Sequence, residues 1–237
     1  MRTILVILLF SVFLHYSCNP ITERLEQYHV HGIDVSHYQS IINWDTLATQ
    51  DITFTFVKAT EGENFSDTLY CHNWKEMNRV GIIRGAYHFF RPKTSIVNQA
   101  ENFISSVQFE EGDLPPVLDV EVLDGASKLE LIVGIREWLN IIETFYKRKA
   151  IIYTNVKFYN KYLAGHFDDN IYWIARYNKD APDLNFGKSW HFWQYGNRGR
   201  LKGIEGDVDF NVFNGTREEL EMLCFSEEII VDTPVLQ

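Results

Sequence analysis

The sequence predicts an α/β fold, namely a single irregular TIM-like (β/α) barrel in which five β-α units precede about three closely spaced strands. Short apolar runs typical of strands alternate with longer runs typical of helices, and this alternation indicates a parallel sheet. The strand-like runs number about eight, which is the number that closes such a barrel. With 237 residues, of which 46% are hydrophobic, the chain is long enough to bury the core.

The five β-α units follow one another in the first two thirds of the chain. Gly81 and Ser95 mark a helix end and a helix start, because glycine favours the conformation that ends a helix and serine caps an N-terminus. The predicted strands cover residues 30–36, 53–58, 82–90, 115–122 and 150–155, and the predicted helices cover residues 43–47, 69–80, 95–107, 129–149 and 156–163.

The last third of the chain departs from this alternation. The runs "IYWIARYN", "SWHFWQYG" and "GDVDFNVFNG" follow one another with little room for helices between them. They predict three adjacent strands that complete a barrel over residues 30–216. Residues 217–237 are expected to form a short helix, at about residues 218–224, and a loose tail.

The first residues have the features of an export signal. Met1-Arg2 is positively charged, and residues 4–14 are almost wholly apolar but too short to cross a bilayer comfortably. Residues 1–18 are therefore predicted to be a signal peptide, and residues 19–29 a polar tether. Export would place the protein in the bacterial cell envelope, lipid-anchored or periplasmic, or outside the cell.

Cys18 ends the apolar run and is the candidate for lipidation in a bacterial lipoprotein. His15 and Tyr16 stand where a lipoprotein signal usually has small residues. Ordinary signal cleavage and an uncleaved anchor are therefore kept as alternatives. Contact with a membrane is expected only through this N-terminal segment.

Charge and cysteine content exclude several functions. The net charge is −10 and the chain has no basic stripe, so nucleic acid is not an expected partner. The sequence contains no C-x-x-C or histidine-rich spacing, and we expect neither a metal site nor a cofactor. Cys71 and Cys224 can pair in an oxidising compartment, but we expect two separate thiols.

Asp119 and Glu121 form the most informative pair of acids. Pro115-Pro116 end any preceding helix, and the short apolar strand that follows carries both acids on one face. Neighbouring carboxylates repel each other, so one of them is expected to keep its proton at neutral pH. Glycosidases use such a pair, with one carboxyl donating a proton and the other charged. The alternative is a solvated turn that happens to contain two acids.

Two further aspartates are expected at the same rim. Barrel enzymes carry their active sites at the C-terminal ends of the strands, and Asp34 lies near the end of the first strand. Asp209 lies in the last strand, which closure of the barrel would place beside the first. Taken singly, each aspartate can instead cap a turn or be solvated.

Aromatic residues make up 15% of the chain, and five of them fall at the same strand ends. The apolar faces of sugar rings pack on aromatic planes, whereas core packing is the alternative for each ring. These residues are Tyr38, Tyr87, Tyr153, Trp173 and Tyr195. Helical tryptophans are expected to pack in the core, namely Trp44, Trp74 and Trp138.

The motifs "HGIDVSHYQ", "FVKATEG", "GAYHFF", "PPVLDVE", "IIYTN", "YWIARY", "WQYG" and "VDFNVFNG" occur in this order. Together they resemble the family 25 glycoside hydrolases, the Chalaropsis-type lysozymes or N-acetylmuramidases. The resemblance covers roughly residues 30–215 and implies cleavage of the β-1,4 bond between N-acetylmuramic acid and N-acetylglucosamine in peptidoglycan.

The resemblance also implies roles for individual residues. Glu121 is expected to be the general acid, and Asp119 to assist it or to orient the substrate acetamido group. Asp34 and Asp209 are expected to be supporting catalytic acids. The substrate-binding residues implied by the family motifs are Tyr87, Tyr153, Trp173, Gln194 and Tyr195.

Several alternatives stay open at this point. The resemblance suggests retention of the anomeric configuration through the substrate's acetamido group, but a protein nucleophile or an inverting water is not excluded. The rival functions are a non-catalytic barrel that binds cell-wall polysaccharide and another hydrolase of acetamido sugars. The expected partner is the peptidoglycan glycan strand, and a monomer is expected.

Overall fold

The computed structural model describes residues 25–227. The predicted signal peptide, most of the tether and the tail after residue 227 therefore lie outside the described residues. The strands are β1 Val30–Val35, β2 Phe54–Glu61, β3 Phe65–Ser66, β4 Ile83–Phe89, β5 Val117–Asp119, β6 Ile151–Asn155, β7 Ile171–Ala175, β8 Phe192–Gly199 and β9 Val208–Phe213. The α-helices are α1 Trp44–Leu47, α2 Tyr70–Arg79, α3 Ile96–Ser106, α4 Lys128–Tyr146, α5 Val156–Phe158 and α6 Arg217–Glu221.

Eight of these strands close into a barrel. Their order is β1-β9-β8-β7-β6-β5-β4-β2, and a further pairing between β1 and β2 closes the ring, while β3 only extends the edge of β2. Helices follow β1, β2, β4, β5 and β6, whereas β7, β8 and β9 succeed one another without an α-helix. The predicted irregular barrel, with five β-α units and three closing strands, is confirmed.

The last strand runs against its neighbours. β8 is parallel to β7, but β9 is antiparallel to both β8 and β1. The connection between β8 and β9 is only residues 200–207, too short for the crossover that a parallel return requires. The start of β9 therefore lies at the rim where the parallel strands end. This places Asp209, near the start of its strand, opposite Asp34 in the register.

Aromatic rings fill the inside of the barrel. Phe56 stacks on Trp173 with 4.3 Å between ring centroids, and both residues are buried. Gly85 makes room for Phe56, because a Cβ added there would lie 2.5 Å from the Phe56 ring. A second and larger apolar layer lies between the strands and the surrounding helices, and it includes Trp44 and Trp138. The aromatic content of the sequence is thus largely used for packing.

Local capping decides where the helices end. Ser95 accepts a hydrogen bond from the Asn98 amide at the start of α3, and Gly81, with φ 76°, follows α2, both as predicted. In contrast, α4 ends at Tyr146 rather than at residue 149, because Lys147 adopts a left-handed conformation with φ 54°. The predicted helix over residues 218–224 is also shorter, spanning Arg217–Glu221.

Two remaining expectations concern the cysteines and the membrane. Cys71 is exposed and Cys224 is buried, and both are free thiols, as expected. Within residues 25–227, the structure has no helix with the length and apolar character that a bilayer span requires.

Candidate active site

A cavity of about 250 Å³ opens at the rim where the parallel strands end. It brings together the four acids that the sequence analysis singled out, which lie on β1, at the end of β5, just after it, and on β9. The residues that line it are Asp34, Ser36, Tyr38, Lys58, Tyr87, Phe89, Asp119, Glu121, Tyr153, Trp173, Tyr177, Gln194 and Asp209.

Asp34 is held in place by two side-chain amides. Its Oδ1 accepts hydrogen bonds from Gln194 Nε2 at 2.9 Å and from Asn211 Nδ2 at 2.7 Å. Burial raises the pKa of Asp34, and these two bonds partly offset that effect because they stabilise the carboxylate. Asp34 is therefore a buried carboxyl with two donors committed to its charged form.

Asp209 is the partner of Asp34 across the sheet. Burial raises the pKa of Asp209, and the charge of Asp34 raises it further. A hydrogen bond joins the two carboxyls. Since both amide donors point to Asp34, the proton of the pair belongs on Asp209, and the pair carries one negative charge at neutral pH.

Asp119 and Glu121 face the same cavity on either side of Val120, which is buried in the outer apolar layer. Two backbone bonds hold this segment: Val120 N–H donates to the Tyr153 carbonyl, and Phe90 N–H donates to the Asp119 carbonyl, each at 2.9 Å. The strand ends at Asp119, yet the alternation of faces continues to Glu121. The expectation that both carboxyls point the same way agrees with this placement.

Both acids of this pair are shifted toward the protonated form. Burial is the larger cause of the raised pKa of Glu121, and the charge of Asp34 adds to it. Burial raises the pKa of Asp119 well above its usual value, with a further contribution from the charge of Glu121. Among the described residues, Asp119 Oδ1 has no hydrogen-bond partner. Repulsion between acids thus acts as the spacing predicts, but desolvation dominates.

Lys58 is a site residue to which sequence reasoning gave no role. It is buried, lines the cavity and forms an ion pair with Glu61. Its positive charge lowers the pKa of both Asp119 and Glu121, opposing the effect of burial. The sequence contains an indication of this role, namely a lysine inside the apolar strand "TFTFVK". A lysine is seldom buried without a charged partner, so this position indicates nearby acids.

The Gln194 amide is oriented by two tyrosines. The hydroxyls of Tyr153 and Tyr177 donate to Gln194 Oε1 at 2.8 Å and 3.0 Å. With its oxygen occupied, Gln194 turns its nitrogen to Asp34. Tyr177 was not among the expected site residues, although the run "YWIARY" ends on it.

Trp173 lines the cavity and also belongs to the core. Its Nε1 donates to Asn211 Oδ1 at 2.7 Å, and only 2% of the residue is exposed. The same Asn211 side chain donates to Asp34. Trp173 thus supports the Asn211 amide that fixes Asp34, and its ring offers little free surface for a ligand.

Tyr195 does not line the cavity, contrary to the expectation for the Gln194-Tyr195 pair. It is buried in the outer layer, where its ring packs against Trp193 and Phe210. Successive side chains of a strand point to opposite faces, so Gln194 and Tyr195 cannot both face the barrel interior. Tyr87, Tyr153, Trp173 and Gln194 do line the cavity.

None of the histidines within residues 25–227 lines this cavity. Buried His88 contacts Thr60 and Gln99, and burial lowers its pKa to about 4. Within the described part of the chain, no group of three or more histidine, cysteine or acidic residues is arranged to hold a metal ion. The chemistry that the cavity itself offers is that of carboxyls in different protonation states beside a buried ammonium group.

Comparison with known proteins agrees with this chemistry. The model of the family described as "Glycosyl hydrolases family 25" matches residues 33–204. The uncharacterized protein YegX of Escherichia coli (strain K12) is 44% identical over 199 residues, covering 82% of this chain and 73% of YegX. Lysozyme M1 of Streptomyces globisporus is 37% identical over 213 residues, covering 82% of this chain and 71% of that enzyme.

Solved structures show the same architecture. A family 25 glycosyl hydrolase from Bacillus anthracis superimposes with a TM-score of 0.80 at 34% identity, covering 86% of this chain and 97% of that chain. A bacterial lysozyme from Streptomyces coelicolor gives a TM-score of 0.77 at 35% identity, covering 82% and 96%.

Proposed function

This chain belongs to glycosyl hydrolase family 25, and we propose that it is an N-acetylmuramidase that hydrolyses the β-1,4 bond between N-acetylmuramic acid and N-acetylglucosamine in peptidoglycan. It is a glycoside hydrolase of the lysozyme type. The observation that carries the proposal is the rim cavity in which Asp34, Asp119, Glu121 and Asp209 meet. Because their environments differ, these carboxyls can divide proton donation and charge stabilisation between them.

Glu121 is the general acid in this proposal. Its pKa is raised by burial and by the charge of Asp34, which favours the protonated form that a general acid needs. It is less buried than Asp119 and lies just beyond the end of β5, where a glycosidic oxygen can reach it. Donation to that oxygen breaks the bond to the leaving sugar.

Asp119 is the assisting acid. Its Oδ1, which has no partner among the described residues, is able to accept the N–H of a substrate acetamido group. That contact would orient the acetamido oxygen toward the anomeric carbon and favour retention of configuration. Attack by a protein carboxylate or by an inverting water is the alternative, and NMR of the first-formed anomer distinguishes inversion from retention.

The Asp34–Asp209 pair stabilises the transition state. An oxocarbenium-like transition state carries positive charge, and the single negative charge of this pair lies in the same cavity. The amides of Gln194 and Asn211 keep that charge in a fixed position before substrate arrives. Substrate contacts are assigned to Tyr87, Tyr153 and Gln194, which line the cavity wall, whereas the buried Trp173 supports that wall.

The experiment that tests the function is digestion of purified peptidoglycan. Released fragments are reduced with borohydride and analysed by mass spectrometry, because the new reducing end identifies the bond that was cut. Reduced N-acetylmuramic acid at the new ends is the expected result. Reduced N-acetylglucosamine would point to another acetamido-sugar hydrolase, and binding without any release would point to a non-catalytic wall-binding barrel.

We also propose that the protein is exported and lipid-anchored. The basis is the positive Met1-Arg2, the apolar residues 4–14 and Cys18, all of which lie outside the described residues. Acylation of Cys18 would hold the barrel, by way of the polar residues 19–29, close to a membrane that faces the cell wall.

A further inference from the structure

A second, larger cavity adjoins the rim cavity that contains the four acids, which we call the acid cavity. Its volume is about 750 Å³, and it shares Tyr38 and Lys58 with the acid cavity. It extends from these two residues toward the β2–β3 turn, Phe65 at the start of β3 and Arg91 after β4. A polymer whose reacting bond lies at Glu121 therefore has a continuous path across Tyr38 into this second space.

Tyr38 lies on a rigid turn at the border of the two cavities. The 3₁₀ turn His37–Gln39 follows β1 directly and is closed by a capping box between Ser36 and Gln39. Gln39 Nε2 also donates to the Asp207 carbonyl at 3.2 Å, which ties the turn to the segment before β9. The backbone that carries Tyr38 is thus fixed from both sides.

The ring of Tyr38 is supported from one side only. It packs on the His37 ring at 4.2 Å between centroids, with the planes tilted by 36°. His37 is held in turn by Asp67, whose buried carboxylate contacts His37 Nδ1 at 2.6 Å and accepts the His37 N–H at 3.1 Å. Yet Tyr38 is 78% exposed, so its other face is open to solvent.

The charged residues of the second cavity already have ion-pair or hydrogen-bond partners. Glu61 accepts from both Lys58 and Arg91, and Arg91 also contacts Asp124. Glu63, a further carboxylate of this wall, forms no ion pair among the described residues but accepts from the Ser95 N–H and from Asn98 Nδ2. The wall is therefore rich in hydrogen-bonding groups whose charges are already held by neighbouring residues. An exposed aromatic face beside such a wall suits a neutral ligand with an apolar face and many hydroxyls, which describes a pyranose ring.

We propose that Tyr38, supported by His37, is a stacking platform for the next sugar of the glycan strand, beyond the two sugars that the cleaved bond joins. The second cavity receives this sugar. The inference rests on the proposed muramidase function, since it assumes the same polymer. Tyr38 then contributes to the binding of glycans that are too long to be held by the acid cavity alone.

The test compares glycan chains of increasing length, prepared from peptidoglycan with the stem peptides removed. Tyr38→Ala should raise KM about tenfold for chains long enough to reach the platform, the change expected for uncovering roughly 50–60 Å² of apolar ring face. Chains too short to reach it should respond much less. Tyr38→Trp should restore the preference for long chains, because it restores an aromatic plane. Phe186→Ala is the matched control, since Phe186 is 84% exposed and lines neither cavity.

Binding of the same chains is measured by calorimetry in a Glu121→Gln background, which separates the platform from the chemistry. There Tyr38→Ala should weaken binding of long chains about tenfold, again from the loss of buried ring face. Absence of hydrolysis by the wild-type protein would contradict the muramidase function, whereas the binding comparison would still decide on the platform. The platform would be overturned if the proteins with Tyr38 and with Tyr38→Ala bound long chains with equal affinity. It would also be overturned if Tyr38→Ala weakened the affinity equally at every chain length.

Discussion

Asp34 and Asp209 lie opposite each other in the register between β1 and β9, and a hydrogen bond joins their buried carboxyls. Two amides donate to Asp34, so Asp34 keeps the negative charge and Asp209 keeps the proton. The charge of Asp34 is also one of the causes of the raised pKa of Glu121. The antiparallel last strand brings Asp209 to Asp34, and the charge of Asp34 in turn raises the pKa of Glu121, the proposed general acid.

Removing the charge of this pair should shift the pH profile. In the double variant Asp34→Asn/Asp209→Asn, the pKa of Glu121 falls because the neighbouring negative charge is gone. The acid then loses its proton at lower pH, and the alkaline limb of kcat/KM moves to lower pH. Asp209→Asn alone should leave that limb near its wild-type position, since an amide can still donate to charged Asp34. An unchanged limb in the double variant would contradict the coupling.

Glu121→Gln should abolish most of the turnover. Glutamine has a similar shape but cannot donate the proton, and general acid catalysis contributes about 100-fold or more to rates. The thermal midpoint should stay close to the wild-type value, because Glu121 lies at the rim. Rates on purified peptidoglycan are compared with those of Glu137→Gln, an exposed glutamate on α4. Near-normal turnover by Glu121→Gln would refute its assignment as the acid.

Trp173→Ala should reduce the free energy of unfolding more than it reduces binding to peptidoglycan. The buried ring stacks on Phe56 and holds Asn211, and truncating a core tryptophan costs about 3–5 kcal/mol. Urea unfolding measures this loss, with Trp173→Phe expected to retain more of the stability. Pull-down on insoluble peptidoglycan supplies the second readout. Normal stability with weakened binding would show instead that the ring mainly contacts sugar.

Breaking the buried ion pair between Arg84 and Asp113 should destabilise the fold more than breaking an exposed pair. Arg84 and Asp113 are both almost fully buried, and Arg84 Nε donates to Asp113 Oδ1 at 2.6 Å. Removing one partner of a buried pair costs about 3–5 kcal/mol when the other charge is left uncompensated. Arg84 also pairs with the more exposed Glu110, so the loss in this case is expected near the lower end of that range. Asp113→Ala should therefore lower the free energy of unfolding strongly. Asp45→Ala, which breaks the exposed pair with Arg79, should have little effect.

Cys18→Ala should release the protein from the membrane fraction or block its processing. Stable anchoring by acyl chains needs more than one chain, as in bacterial lipoproteins, and all of them depend on this cysteine. Detergent phase partitioning and mass spectrometry of the mature N-terminus measure the outcome. A wild-type protein that partitions into the aqueous phase and begins after Cys18 would be secreted without an anchor.

The sequence by itself determined the fold class and the main acids. The alternation of strand and helix patterns is a local property, and it indicated five β-α units and three closing strands that the structure contains. Asp119 and Glu121 could be placed on one face because the side-chain period of a strand is also local. Asp34 and Asp209 followed from one further assumption, the closure of the barrel.

Tertiary structure alone decided the direction of β9 and the hydrogen bond that leaves the charge on Asp34 and the proton on Asp209. It also decided the placement of Lys58 and Tyr177 in the cavity. It also removed Tyr195 from the cavity and left Tyr38 exposed at its border. These features depend on contacts between residues far apart in the chain. Register, burial and the electrostatic effect of one carboxyl on another arise only when the barrel closes. A local pattern such as the lysine inside "TFTFVK" hints at a buried charge but does not specify its position or its partners.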